Sequence, residues 1–206
     1  MSRNAFLAAR HVSRETLERL DLYAALLAKW NPAINLVSKA TLSELWTRHF
    51  LDSAQIFDLA PAAARRWADL GSGGGFPGMI VAILAAAERP GLSVTLVESD
   101  ARKSAFLTRV AQETGIPADI RTARAESLPR LQADVLSARA LAPLSRLLPL
   151  AQQHLVEGGE ALFPKGAQHA QEIATALETW RFAVQKYPSR TDSAGVILKI
   201  GGISRV

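Results

Sequence analysis

The chain has 206 residues, 49% of them hydrophobic and 21% charged, with a formal net charge of +5. That is enough chain for one α/β domain with a modest extension and enough apolar content for a real core, and it excludes a disordered or fibrous protein. The absence of cysteine excludes a disulfide framework, a cysteine-ligated metal and a cysteine nucleophile.

An isoelectric point near 10.0 permits a polyanionic partner. Lys and Arg are spread along the chain without a basic tail, so any basic patch must be assembled by folding. The longest apolar run, Met79–Ala87, is far too short to span a membrane. The first twenty residues lack an apolar h-region, so no signal peptide is read and a cytoplasmic location is the default expectation.

The first 60 residues read as helix only. Leu17, Leu20, Tyr23, Leu27 and Trp30 form one apolar stripe, predicting a helix over 13–30 with Ser13 as N-cap and Asn31-Pro32 as its stop. Thr41-Leu42-Ser43-Glu44 has the form of a capping box, predicting a second helix from Thr41. His49 and Asp52 stand three apart on that helix, within mutual reach, and suggest a structural pair.

From Arg66 strands and helices alternate. Trp67–Leu70 reads as a strand ending in a glycine loop, Gly71–Gly78, followed by a helix to about Ala87. Ser93–Glu98 is a second strand. Asp100 caps a helix that ends at Thr114 with Gly115 as its C′ residue. Strands are predicted at 119–123 and 134–138. Pro143 then opens a helix that reaches Leu155 and is stopped by Gly158-Gly159. A strand over 160–164 precedes a helix to about Thr179. The last two strands, 181–187 and 195–200, have no helix between them and must be antiparallel neighbours.

Five parallel βα units closed by a hairpin are the layout of a Rossmann-like class I methyltransferase. The predicted fold is α/β, with a seven-stranded, mostly parallel sheet. Residues 1–60 are expected to form an N-terminal helical extension packed on the core, and residues 61–206 one methyltransferase domain.

The strongest local signal is Asp69-Leu70-Gly71-Ser72-Gly73-Gly74-Gly75-Phe76-Pro77-Gly78. Gly73, Gly75 and Gly78 fit the spacing G-x-G-x-x-G, in itself a weak dinucleotide sign. Two features favour S-adenosylmethionine (SAM) over NAD. The carboxylate of Asp69 would repel a pyrophosphate and attract the ammonium of SAM, and Pro77 removes an N–H that a phosphate would want. A plain glycine-rich turn competes, but five glycines in eight residues are costly to order without a ligand. Glu98, at the end of the second strand, is placed to accept ribose hydroxyls, although an exposed strand-end acid would look the same. Ala125 and Glu126 follow the third strand, where an adenine would lie.

Asp69–Gly78, Asn35-Leu36-Val37-Ser38, Arg48-His49-Phe50-Leu51-Asp52-Ser53, Ser137-Ala138-Arg139-Ala140 and Lys165-Gly166 together resemble the RsmG (GidB) family. The resemblance covers about residues 17–200. It implies a SAM-dependent methyltransferase acting on N7 of a guanine in bacterial 16S ribosomal RNA. It implies cofactor contacts by Gly71 and Phe76 in the loop and by Ala125 and Glu126 beside the adenine. Arg139 would be the catalytic residue, reaching the methionine end of SAM or the target base.

The residues agree with that chemistry by what they lack. N7 attacks without losing a proton, so position suffices and no general base is required. No Asn/Asp-Pro-Pro-Tyr follows the fourth strand; that place holds Arg139, always protonated and unable to be a base. Arg48 and Lys165 are the candidate RNA contacts at the cofactor mouth. No metal and no membrane are expected, the partner is 16S rRNA or the small subunit, and the chain is expected to be a monomer. The competing reading is a class I methyltransferase for a small molecule or protein. His11, His154 and His169 show no partner spacing and are expected at the surface, and the tryptophans in the core.

Overall fold

The structure is a computed structural model that describes residues 3–206, apart from the side chain of Lys39. Its strands are β1 (Arg66–Leu70), β2 (Ser93–Glu98), β3 (Ala118–Thr122), β4 (Ala133–Ser137), β5 (Leu155–Lys165), β6 (Trp180–Pro188) and β7 (Val196–Arg205). They form one sheet in the order β3-β2-β1-β4-β5-β7-β6. The first five are parallel, and β7 runs antiparallel to both β5 and β6. Strand order reverses between β1 and β4, which opens a crevice at their carboxyl ends, where ligands of open α/β sheets bind.

β1 lies at the centre. Trp67, Ala68, Asp69 and Leu70 are all buried, as expected of a strand covered on both faces. The carboxylate among them is the exception that needs an explanation. One face is covered by α5 (Gly78–Glu88) and α6 (Ala101–Thr114), the other by α7 (Leu144–His154) and α8 (His169–Leu177).

α5 is buried from Gly78 through Ala85 on every side. A helix apolar all round needs cover on its outer side as well. The N-terminal segment supplies it, with α1 (Arg3–Ala9), α2 (Arg14–Ile34), α3 (Lys39–Leu42), a π-helix (Leu45–Leu51) and α4 (Asp52–Leu59). Phe6, Leu20, Tyr23, Leu27, Phe50 and Phe57 are buried in the same core as Met79, Ile80 and Phe106. Among the described residues no helix is long and apolar enough to cross a membrane. Residues 1 and 2 of the expected extension lie outside the described residues.

Local signals place most elements. Ser93–Glu98 and Asp100-capped α6 appear as read, with Gly115 in the left-handed region at φ 64°. α2 does not stop at Asn31-Pro32. Pro32 removes a single ladder bond, and the helix continues to Ile34, where Asn35 at φ 49° closes it through its N–H to Asn31 O. The capping box at Thr41 does not form either. Ser38 caps α3, its hydroxyl accepting from the N–H of Thr41. The helix from Thr41 is replaced by the π-helix, in which Asp52 N–H reaches Thr47 O. Gly158-Gly159 lies inside β5, at a register shift between β4 and β5, rather than after a helix. Trp67 and Trp180 are core residues, with Trp30 and Trp46 packed against it.

Candidate active site

The glycine loop leaves the carboxyl end of β1. Asp69, fully buried, braces it from beneath. Its Oδ1 accepts from Ser137 Oγ at 2.7 Å on β4, and its Oδ2 accepts from Gly78 N at 3.1 Å at the start of α5. A Cβ at Gly78 would lie 2.7 Å from Asp69, so the contact requires glycine there. Burial pushes the Asp69 carboxyl up to about 6, against the pull of its hydrogen bonds. The loop is held from above by Tyr23, whose hydroxyl donates to Gly74 O, and by Leu36, packed against Gly74. Gly75 is buried under Tyr23, in a space too tight for a side chain.

Gly73, at φ 56°, faces the other way. The nearest atom to a Cβ built there is Gly71 O at 3.8 Å, so a side chain would project into open cavity. The cavity has a volume of about 960 Å³. Its first wall is Gly71, Gly73, Phe76 and Glu98. Glu98 Oε2 accepts from Gly73 N and Oε1 from Asp100 N, each at 2.8 Å, which fixes the carboxylate at the end of β2. Each oxygen keeps a further lone pair. These residues fit an adenosyl ligand with a ribose diol: a cradle kept clear of side chains beside an anchored acceptor.

The opposite wall is centred on Arg139, just after β4. Its Nη2 donates to His49 Nδ1 at 2.7 Å and its Nη1 to Arg48 O at 3.2 Å. Asp52 Oδ2 is 3.7 Å away. The guanidinium lies over the Phe76 ring, 5.1 Å from its centroid, and His49 stacks on the same ring at 4.8 Å. Because an arginine only donates, Nδ1 is the acceptor and His49 is neutral with its proton on Nε2. Burial, then the charges of Arg139 and Arg48, bring the imidazole down to about 3. Nε2 is buried without a partner among the described residues.

His49 and Asp52 thus meet at Arg139 rather than at each other. The remaining oxygen of Asp52 accepts from Thr191 Oγ1 at 3.1 Å in the β6–β7 loop. Gln55 ties the same loop down, donating to Pro188 O and accepting from Arg190 N. Sequence reasoning assigned nothing to this hairpin loop, yet Ser189, Thr191 and Asp192 line the cavity. Their hydroxyl and carboxyl groups carry no local signature, and only the partnership with Asp52 reveals them.

Gly71, Gly73, Phe76, Glu98, Arg139, Arg48 and Lys165 therefore share one cavity, while Asp69, Gly75, Ala125 and Glu126 do not line it. Arg48 is exposed, facing Glu44 at 3.7 Å. Lys165 is not a free cation: its Nζ is bound to Ala142 O at 2.9 Å and to Glu172 Oε2 at 2.7 Å, with little of the side chain exposed. Glu126 is exposed and Ala125 buried in a 3₁₀ turn. That turn rests on His154, whose Nε2–H donates to Ala125 O at 3.0 Å. His154 is fully buried, against the surface position expected for it. Its place after Leu147 and Ala151, at helical spacing, was the available signal.

The family model for rRNA small subunit methyltransferase G (GidB) matches residues 16–194. A ribosomal RNA small subunit methyltransferase G from Ruegeria sp. (strain TM1040) is 53% identical over 195 residues, covering 95% of each chain. Another, from Rhodospirillum centenum, is 53% identical over 199 residues, covering 97% of this chain and 90% of that one. Among solved structures, the O-methyltransferase from Bacillus cereus in complex with SAH matches with a TM-score of 0.60 at 14% identity, covering 96% of each chain, a likeness of fold.

Proposed function

The chain belongs to the rRNA small subunit methyltransferase G (GidB) family, and on that premise we propose that it moves a methyl group from SAM to N7 of a guanine in the 16S ribosomal RNA. One observation carries the reading. A single cavity sets the glycine loop and Glu98 against Arg139, and the two side chains that could accept a proton beside it are committed, His49 to Arg139 and Asp52 to Thr191.

When bound, SAM supplies a methyl group on a positively charged sulfur, ready for in-line displacement. Gly73 leaves room for it, and Glu98 would hold the ribose. Asp69 keeps the loop in the shape that makes the room. Arg139 presents its remaining N–H groups to the cavity, and we assign them to guanine O6, orienting the base so that N7 faces the methyl group. His49 is neutral and committed to Arg139, and Asp52 is bound to Thr191 beside the guanidinium, so neither serves as a base. N7 needs none, since its lone pair is free at neutral pH and alignment is what the site contributes.

Arg48 at the cavity mouth contacts an RNA phosphate. The reaction takes place in the cytoplasm, where the small subunit is assembled, and the chain works as a monomer. Its own N-terminal segment covers the apolar face of α5, which a partner subunit would otherwise cover.

Labelled SAM incubated with small subunits from a strain lacking this gene tests the reading. One guanine of 16S rRNA should carry the label, and the strand should be cleavable there by borohydride and aniline, as N7-methylguanosine is. Label elsewhere, or a product that resists cleavage, would overturn the assignment.

A further inference from the structure

We propose that His49 is a positioning residue for methyl transfer, its neutral Nδ1 holding the Arg139 guanidinium in the orientation that the target base meets. The inference rests on the function proposed above and adds to it the residue through which the N-terminal segment acts on the reaction.

The geometry is specific. Arginine has five N–H donors in one plane, and its use depends on where that plane points. Here the Phe76 ring supports the plane from one face. His49 Nδ1 and Arg48 O engage its two terminal nitrogens at 2.7 and 3.2 Å. The side-chain acceptor and the carbonyl both come from the π-helix, 90 residues away in sequence. The π-helix has the function that such widened turns often have, presenting side chains that a regular helix would aim elsewhere.

Packing alone does not account for the histidine. A phenylalanine would fill the same space and stack on Phe76 without leaving Nε2–H buried and unpartnered. What the imidazole adds is the Nδ1 acceptor. Asp52, the other side-chain acceptor facing Arg139, is set at 3.7 Å through Oδ2, and its Oδ1 is engaged by Thr191 and Ser189. The charged groups facing the ring are Arg139 after β4, Arg48 on its own element and Asp52 at the start of α4. Burial first, and then the two cations, disfavour the imidazolium, which keeps Nδ1 available to accept.

Two His49 variants, Arg139→Ala and the imidazole spectrum test the proposal. His49→Phe keeps the ring and removes the acceptor. His49→Asn loses the ring but sets an amide oxygen near the place of Nδ1. Single-turnover methylation of small subunits at saturating SAM should slow by about 100-fold in His49→Phe, the scale of a mis-aimed group near the chemistry. It should be largely restored in His49→Asn. Nitrogen NMR of the wild-type protein should show a neutral imidazole with the proton on Nε2 from about pH 5 to about pH 8. In Arg139→Ala, where Nδ1 loses its donor and the ring one of its two neighbouring cations, the fixed Nε2–H tautomer should be lost and the imidazole should protonate at higher pH than in the wild type, while burial still holds it below its ordinary range. Wild-type rates in His49→Phe, equal losses in both variants, or a proton on Nδ1 would overturn the proposal. If the wild-type protein leaves small subunits unmethylated, the function reading fails, and the spectrum still decides the His49–Arg139 pairing. Melting curves identify a variant that has not folded, and the wild-type spectrum stands without it.

Discussion

Tyr23, in α2, donates its hydroxyl hydrogen to the carbonyl of Gly74, in the middle of the glycine loop. Both residues are buried, and burial pushes the phenol well above its ordinary range, so it remains a donor at every pH the fold survives. Tyr23→Phe removes the donor and leaves the carbonyl without it. A buried acceptor so stranded costs about 1–3 kcal/mol. The variant should fold, lose that much unfolding free energy and so unfold at lower urea concentration, and bind SAM more weakly, because the loop is no longer held from above. Urea titration and calorimetry check this. A loss of stability with undiminished SAM affinity would show that the contact supports the fold alone.

Gly73 is the loop residue whose missing side chain opens the cavity. Gly73→Val should abolish SAM binding while the sheet persists, since the new methyl groups enter the space facing Glu98 rather than the core. The positive φ adds strain for a β-branched residue of about 1–3 kcal/mol. Calorimetry on a variant with native far-ultraviolet dichroism decides it, and SAM bound with wild-type affinity would move the ligand off this wall.

How much of this was legible in the sequence depends on how local the signal is. β2 is an apolar run and α6 is bounded by Asp100 and Gly115, so their ends follow from the chain itself. The glycine loop was legible for the same reason. The π-helix was not: no local spacing announces its i→i+5 bonding, and Arg139, which its residues meet, lies far away along the chain. The role of Asp69 was half visible. Its place before the glycines marked it, but its burial and its bonds to Ser137 and Gly78 come from the neighbouring strand and the far end of the loop. Lys165 looked like a phosphate ligand because a sequence cannot show that Glu172 and Ala142 O already occupy its ammonium.

That last difference separates the two cations. Arg48→Ala should weaken binding of the subunit and lower the slope of log affinity against log salt by about one unit. Lys165→Ala should leave the slope unchanged and lower stability instead, because Glu172 also holds the N–H of Leu144 at the start of α7. Filter binding across a salt series, with a melting curve for each variant, checks both. A unit drop in slope for Lys165→Ala would restore it as an RNA contact.

Two buried groups should oppose each other in the acid dependence of stability. The carboxyl of Asp69 is raised from its ordinary 3.8 to about 6 by burial, so between those values the folded chain binds the proton that the unfolded chain has released. Stability from this group falls as pH rises through that window. His49 is lowered from its ordinary 6.5 to about 3, chiefly by burial, so between those values the unfolded chain takes the extra proton. Stability from this group is present above pH 6.5 and is lost as pH falls toward 3. Each contributes a slope of about 1.4 kcal/mol per pH unit in its window, with opposite sign, so the wild-type curve is flattened where the windows overlap. The variants should unmask them. His49→Phe should gain stability relative to the wild type as pH falls below 6.5, and Asp69→Asn should lose it relative to the wild type as pH falls from 6 to 3.8. Urea denaturation at closely spaced pH values reads both differences. Curves that run parallel to the wild type across these windows would mean that the two groups titrate in the folded chain as they do in water.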